Sequence, residues 1–298
     1  MDTPASALAI LNRPSRLAAA HVDGAAPFLF VDPEAAHVGV RNLGVTRGDG
    51  IFETIGSVFG RPQAIDAHLR RLSASAAALD LPEPDLQAWR GAIVAVATTV
   101  GGHLESAIKV VYTRGVEGDG RPTGWVHGSP SPDYRAARRD GIRVVTLDRG
   151  FRHDVSFTSP WLLQGAKTLS YAVNSAALRE ANRRGADDVI FLSSDGFVLE
   201  GPTSTVILLR DGRLATPGPG LAILDGTTQR GLFEFAAARG LPAGFELTRS
   251  EHLHDADAVW LVSSVRHASP VTAIDGIDLP VDSSLTQAFN TYLARRPD

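Results

Sequence analysis

The sequence predicts a mixed α and β protein of two domains, and three observations lead there. The chain has 298 residues, 44% of them hydrophobic and 21% charged. That is globular composition at a length where single cores stop growing, about 250–300 residues. Helical and strand periodicities are both present, without the regular β-α alternation of a doubly wound sheet. Finally, residues 129–140 form a polar stretch that begins Ser129-Pro130-Ser131-Pro132 and runs through Arg138, Arg139 and Asp140. Such composition suits an exposed linker, or a surface loop within one domain. The expected domains are a smaller one over residues 1–128 and a larger one over residues 141–298.

In the first domain, residues 27–45 read as extended chain broken by Asp32-Pro33 and Gly44. Ile65, Leu69, Leu72, Ala76 and Leu79 recur at steps of four and three, which predicts a helix over 65–79 closed by Pro82. Asp85 starts a second helix that runs through Trp89 and Ile93 to Val100. Residues 107–113 are β-branched and apolar and read as a strand, and Trp125 begins another. In the second domain, residues 142–147 read as a strand. Residues 171–184 read as a helix ended by Gly185 in a left-handed cap. Short strands follow at 189–192, 197–200 and 205–209, with Asp195-Gly196 and Asp211-Gly212 as hairpin turns. Residues 227–239 form a helix before Gly240, 258–262 a strand, and 285–294 a final helix.

Bulk properties narrow the function. The formal net charge is −4 and no basic stripe is present, so nucleic acid is not an expected partner. No stretch approaches the roughly 18 apolar residues that span a bilayer, so neither is a membrane. Cysteine is absent, which removes disulfides, thiolate nucleophiles and cysteine metal sites. The nine histidines are dispersed without a His-Glu-x-x-His spacing, so no metal site is expected. The first residues lack a basic segment followed by a long apolar run, and a cytoplasmic location is the expectation.

Four groups could carry chemistry. Lys167, in Gly165-Ala166-Lys167-Thr168-Leu169-Ser170-Tyr171, offers an amine that partial desolvation could activate toward an aldehyde, or a solvated surface charge. Glu200 follows the apolar run Phe197-Val198-Leu199. It could keep a pyridine nitrogen protonated, or simply face water. Thr227 and Thr228 open a helix after Asp225-Gly226, where an anion site and ordinary N-capping compete. Arg71 shares a helix face with His68 and Ser75, and its planar fork could pair with a phosphate or sit in solvent.

The order of these segments resembles the fold-type IV pyridoxal-phosphate (PLP) enzymes, the class IV aminotransferase family. Residues 44–54, GVTRGDGIFET, resemble that family's N-terminal motif, and His68-Leu69-Arg70-Arg71-Leu72 follows at its distance. Residues 167–174, KTLSYAVN, are similar to the cofactor-lysine segment. GADDVIFL over 185–192, Leu199-Glu200-Gly201-Pro202-Thr203-Ser204 and Ile223-Leu224-Asp225-Gly226-Thr227-Thr228 complete the series. The resemblance implies an α+β fold like that of D-amino-acid aminotransferases, with a smaller N-terminal α/β domain and a larger C-terminal α/β domain built on a barrel-like sheet. It also implies bound pyridoxal 5′-phosphate, a small amino-acid-like substrate and a homodimer. Carried over by position, Lys167 forms the Schiff base, and Glu200 faces the pyridine nitrogen. Arg71, Thr227, Thr228 and Ser264 hold the phosphate, and Tyr171 or Asn174 lies near the ring.

The reaction turns on substrate carboxylates. Lys109, Arg114-Gly115 and Arg121 are similar in arrangement to the 4-amino-4-deoxychorismate lyases, whose substrate presents two carboxylates. Lys109 and Arg121 are therefore the expected substrate-binding residues, unless Lys109 faces solvent and Arg121 belongs to a turn. The expected activity is elimination of pyruvate to give 4-aminobenzoate. The alternative is transamination of D-alanine, branched-chain amino acids or (R)-amines.

Overall fold

The computed structural model describes residues 4–17 and 25–296. The outer limits of the expected domains, residues 1 and 298, lie outside these. The chain forms two compact units. One contains the described residues up to Pro132 together with Ala166–Tyr171; the other contains Asp133–Gly165 and Ala172–Arg296. A division after Pro132 falls inside the stretch expected to be a linker. Its second half is instead a short helix of the second unit, where Arg138 donates to the carbonyls of Val265 and Arg266 at 2.9 Å each.

The first unit is an antiparallel sheet with two long helices and one short one. Its strands are β1 (Ala7–Leu11), β2 (Phe28–Val31), β3 (Gly50–Val58), β4 (Arg61–Pro62), β5 (Glu105–Thr113) and β6 (Thr123–Pro130), in the order β2-β1-β6-β5-β3-β4. The expected extended run over 27–45 is a strand only at β2, because Asp32 accepts from Glu34 N and turns the chain. A single turn of helix, α1 (Leu43–Thr46), follows. Helices α2 (Ile65–Ala78) and α3 (Leu86–Thr99) bury Ile65, Leu69, Leu72, Trp89, Ile93 and Val96. Asp85 caps α3 by accepting from Gln87 N and Ala88 N. Strand β3 is not evident from periodicity. Every residue from Gly50 to Ser57 except Thr54 is buried, so polar and apolar positions do not alternate.

The second unit is a mixed sheet. It comprises α4 (Arg135–Asp140), β7 (Ile142–Asp148), α5 (Val155–Thr158), α6 (Ala172–Arg183), β8 (Asp188–Leu192), β9 (Thr205–Arg210), β10 (Arg213–Thr216) and α7 (Thr227–Ala238). Then come β11 (Ala243–Phe245), β12 (Ala258–Ser263), β13 (His267–Ile274), β14 (Ile277–Asp278) and α8 (Ser283–Arg295). The strand order is β11-β10-β9-β12-β13-β7-β8, with β14 beside β13. Asp211 and Gly212, both at positive φ, turn β9 into β10 as their sequence requires. Residues 197–200 close the sheet. On one side Leu199 N donates to Phe191 O and Phe191 N to Glu200 O; on the other, Val198 N donates to Thr248 O. The barrel-like sheet encloses Val144, Ile190, Val206, Val259, Leu261 and Val271. Outside it, α7 and α8 pack Phe235, Phe289 and Leu293 against Trp260, whose indole donates to Thr286 Oγ1 at 2.7 Å.

Phe289 lies 5.2 Å from the Trp260 ring and 5.3 Å from Phe235, both edge to face. Phe289→Ala is expected to cost about 3–5 kcal/mol through the cavity it leaves, read from urea unfolding followed by Trp fluorescence.

Candidate active site

In the first unit the site grows from the edge of β3. Residues 166–171 lie along that edge: Phe52 N donates to Lys167 O at 3.0 Å, and Leu169 N donates to Gly50 O at 2.8 Å. Gly50 is needed for this approach, since a Cβ there would sit 2.8 Å from Tyr112 O and from Leu169 Cδ1. Ser75 on α2 accepts from Lys167 N at 3.1 Å. The lysine backbone is thus held at both its N–H and its carbonyl. Its half-buried side chain places Nζ 4.4 Å from the centre of the Phe52 ring. Tyr171 packs edge-on against the same ring at 5.3 Å.

The next residue of β3 points the other way, as the pleat requires. Glu53, 1% exposed, meets α2 there. Arg71 donates to it through Nε and Nη2, both at 2.7 Å, and His68 Nδ1 lies 2.8 Å from Oε2. An ionised carboxylate only accepts, so Nδ1 carries the imidazole proton. Burial alone pushes the Glu53 carboxyl up, but the charge and hydrogen bonds of Arg71, joined by the His68 bond, hold it well below the usual carboxylate range. Burial pushes His68 down, against the opposing bond from Glu53 and with help from the charges of Arg71 and Lys167.

Lys109 and Arg121 fall in different places. Lys109 is exposed on β5, opposite Thr54, and its Nζ lies 5.6 Å from the Phe52 ring that Lys167 also faces. Arg121 belongs to the loop between β5 and β6. It is 65% exposed and holds Asp119 through Nε and Nη2, each at 3.1 Å. From Lys109 to the end of β5 at Thr113 is about 13 Å of strand, and Arg121 lies beyond it. The structure does not bring the two cations together. Arg114 is also committed, to Asp49 and to the carbonyls of Leu79 and Asp80.

In the second unit, Glu200 ends the segment that closes the sheet. Its Oε2 accepts from Leu224 N at 3.1 Å. Gly201 comes next because a Cβ would run into Ser204 Oγ. Two residues past Leu224, Gly226 is the N-cap of α7 and makes no side-chain cap bond. Asp225, just before it, pairs with Arg230. Thr227 and Thr228 are buried in the first turn, and Thr227 Oγ1 lies 3.2 Å from Ser264 Oγ. Two hydroxyls therefore meet at a helix start whose N-cap is a glycine, a donor set suited to an anion. Asn174 donates to Pro202 O at 2.7 Å and accepts from Arg149, which ties α6 to the loop after Glu200.

The sequence model of amino-transferase class IV matches residues 50–274. The chain belongs to this family. The bifunctional aminodeoxychorismate lyase / D-amino acid transaminase of Mycobacterium tuberculosis is 48% identical over 252 residues, 80% of this chain and 86% of that one. A fold IV transaminase from Curtobacterium pusillum has a TM-score of 0.93 at 52% identity, covering 98% of both chains. A hypothetical aminotransferase from Mycobacterium tuberculosis, in its PLP-bound form, has a TM-score of 0.87 at 42% identity, covering 97% of both. This class IV aminotransferase is a PLP-dependent enzyme, with the mixed α and β architecture of its family. Taken unit by unit, the groups present suit the cofactor's chemistry: the first unit offers an amine for an aldehyde and a guanidinium for a phosphate, and the second a carboxylate for a ring nitrogen and hydroxyls for a phosphate. Among the described residues, no helix is long and apolar enough to cross a membrane.

Glu53, Phe52 and Ser75 are legible in the sequence only as parts of motifs or faces. The available signal is a carboxylate between Ile51 and Ile55, both fully buried, because a charge in such a strand requires a partner. The two depressed pKa values act in one direction. Unfolding returns His68 to its ordinary value of 6.5, so below that pH the unfolded chain binds the extra proton and stability falls. Glu53 adds to the loss only in the more acidic carboxylate range, as the pH falls toward its folded value. Acidification from about pH 7.5 to about pH 5.5 is expected to lower the urea-unfolding free energy, with His68 contributing at most about 1.4 kcal/mol per pH unit. His68→Gln is expected to flatten that dependence; an unchanged slope in the variant would refute a neutral, buried His68.

Proposed function

We propose that the enzyme transaminates amino acids that carry one carboxylate beside the amine, D-amino acids among them. Lys167 is the base and Lys109 the partner of the carboxylate. One observation carries the reading: the ammonium groups of Lys167 and Lys109 face the same Phe52 ring, at 4.4 and 5.6 Å, while Arg121 is held by Asp119. A base and a single cation suit an α-amino acid, whose Cα and carboxylate are bonded neighbours.

Bound PLP supplies an aldehyde for the amine and a ring that withdraws electrons from Cα. The protein does the rest. Lys167 Nζ would take the proton from the substrate's Cα and hold it for the return transfer that completes transamination. Phe52 lies against that amine and shields one side of it, and Tyr171 packs edge-on against the Phe52 ring. Glu200, oriented by Leu224 N, holds the proton on the pyridine nitrogen. Arg71, Thr227, Thr228 and Ser264 bind the phosphate.

Elimination from aminodeoxychorismate is the second reading. It is favoured by the relative that is 48% identical, whose name carries both activities. Lys167 would remove the same Cα proton, and the two reactions diverge only after that step. A second substrate carboxylate would require a cation beyond Lys109, and Arg121 would have to leave Asp119 to supply it.

The discriminating assay supplies D-alanine with 2-oxoglutarate, and aminodeoxychorismate separately. Pyruvate formed from D-alanine only with the acceptor present, at a rate above that of 4-aminobenzoate formation, is the expected result. The reverse ranking would make the lyase reading the better one. Lys167→Ala is expected to abolish both reactions. Lys109→Met is expected to raise KM for D-alanine by about tenfold or more, the loss of one charged hydrogen bond, and to spare an (R)-amine that lacks a carboxylate. Equal effects on both substrates would remove Lys109 from the carboxylate's partners.

A further inference from the structure

We infer that Glu53, backed by His68, is a positioning residue that sets the guanidinium of Arg71 for a phosphate ester. The inference rests on the reading that Arg71 binds the cofactor's phosphate. Glu53 lies in a strand interior between Ile51 and Ile55, where a carboxylate is expensive to bury. Apolar replacements of buried ion pairs are often as stable or more so, so stability alone does not account for the pair. The pair does supply orientation. Arg71 is 11% exposed and has several rotatable bonds, yet two bonds of 2.7 Å from Nε and Nη2 fix the guanidinium plane. The orientation of the Nη1 edge is set by those same two bonds.

His68 stands one turn before Arg71 on the same face of α2. Its Nδ1 bond fixes Glu53, and burial keeps its ring neutral, so it adds a donor without adding charge. Glu53 and Arg71 then cancel in charge. The trio offers aimed N–H groups rather than a net cation. Ser75, one turn further along, accepts from Lys167 N, so the same helix face holds both the arginine and the backbone of the lysine.

This arrangement gives two roles for Glu53 opposite signs. If Glu53 only neutralises Arg71, Glu53→Gln exposes an uncompensated cation and tightens phosphate binding. If Glu53 aims Arg71, the same change weakens it. Full-length apoprotein is titrated with PLP and with pyridoxal, which has the same ring and aldehyde but no phosphate. Absorbance gives both dissociation constants, and the readout is the preference for PLP over pyridoxal. Glu53→Gln is expected to reduce that preference by about tenfold, the effect of a misdirected charged hydrogen bond. Arg71→Ala is expected to reduce it at least as much. His68→Asn keeps the ion pair and loses one bond, and is expected to reduce the preference about threefold; it decides the question if Glu53→Gln does not fold. An unchanged or increased preference in Glu53→Gln, or equal weakening of both ligands, overturns the positioning role while a loss in Arg71→Ala leaves the phosphate reading standing. An unchanged preference in Arg71→Ala overturns the phosphate reading itself.

Discussion

Two backbone hydrogen bonds, Phe52 N to Lys167 O and Leu169 N to Gly50 O, place Lys167 on the edge of β3. The placement of Lys167, Phe52 and Glu53 within the first unit depends on that strand. Because successive side chains alternate, Phe52 turns toward the amine of Lys167 and Glu53 turns toward Arg71 and His68. A slip of one residue would exchange these faces, sending the ring into the helix layer and the carboxylate to the lysine. The register is held by the full pairing of β3 with β5, from Gly50 opposite Thr113 to Val58 opposite Glu105. The same pairing sets Lys109 opposite Thr54 and brings its ammonium toward Phe52.

In the second unit the organising event is closure of the sheet by residues 197–200. Their backbone pairs with Phe191 on one side and Thr248 on the other, which leaves Glu200 at the end of the closing segment. Its carboxylate meets Leu224 N, and two residues later the chain enters α7 at Gly226. One short stretch therefore orients the carboxylate and begins the helix whose first turn carries Thr227 and Thr228. Glycine is required at two points of this path. At Gly201 a side chain would meet Ser204 Oγ, and at Gly226 it would meet Thr205 Oγ1.

Much of this is legible in the sequence, for identifiable reasons. Helices α2, α3, α6, α7 and α8 have apolar residues at helical spacing and clear boundaries. The Asp211-Gly212 turn needs positive φ at both residues, which that dipeptide tolerates. Strand β3 lacks alternation because both of its faces are covered, so periodicity does not reveal it. Strands β1 and β13 escape the same test, and β13 is likewise buried along nearly all its length. Helix α4 is masked by a composition that reads as a linker.

The sequence by itself determined which groups are available: the amine of Lys167, the carboxylate of Glu200, the guanidinium of Arg71, and the hydroxyls that open α7. Their order along the chain was enough to identify the family. Which cations are already engaged was a tertiary decision. Arg114 reaches Asp49, 65 residues away in sequence, and Arg71 reaches Glu53 across 18. Arg121 finds its partner, Asp119, only two residues away, but only the folded loop shows that the two pair. The physical reason is that a charge pairs with whatever lies within a few ångströms of it. Strand register and edge pairing set that distance, and sequence spacing does not.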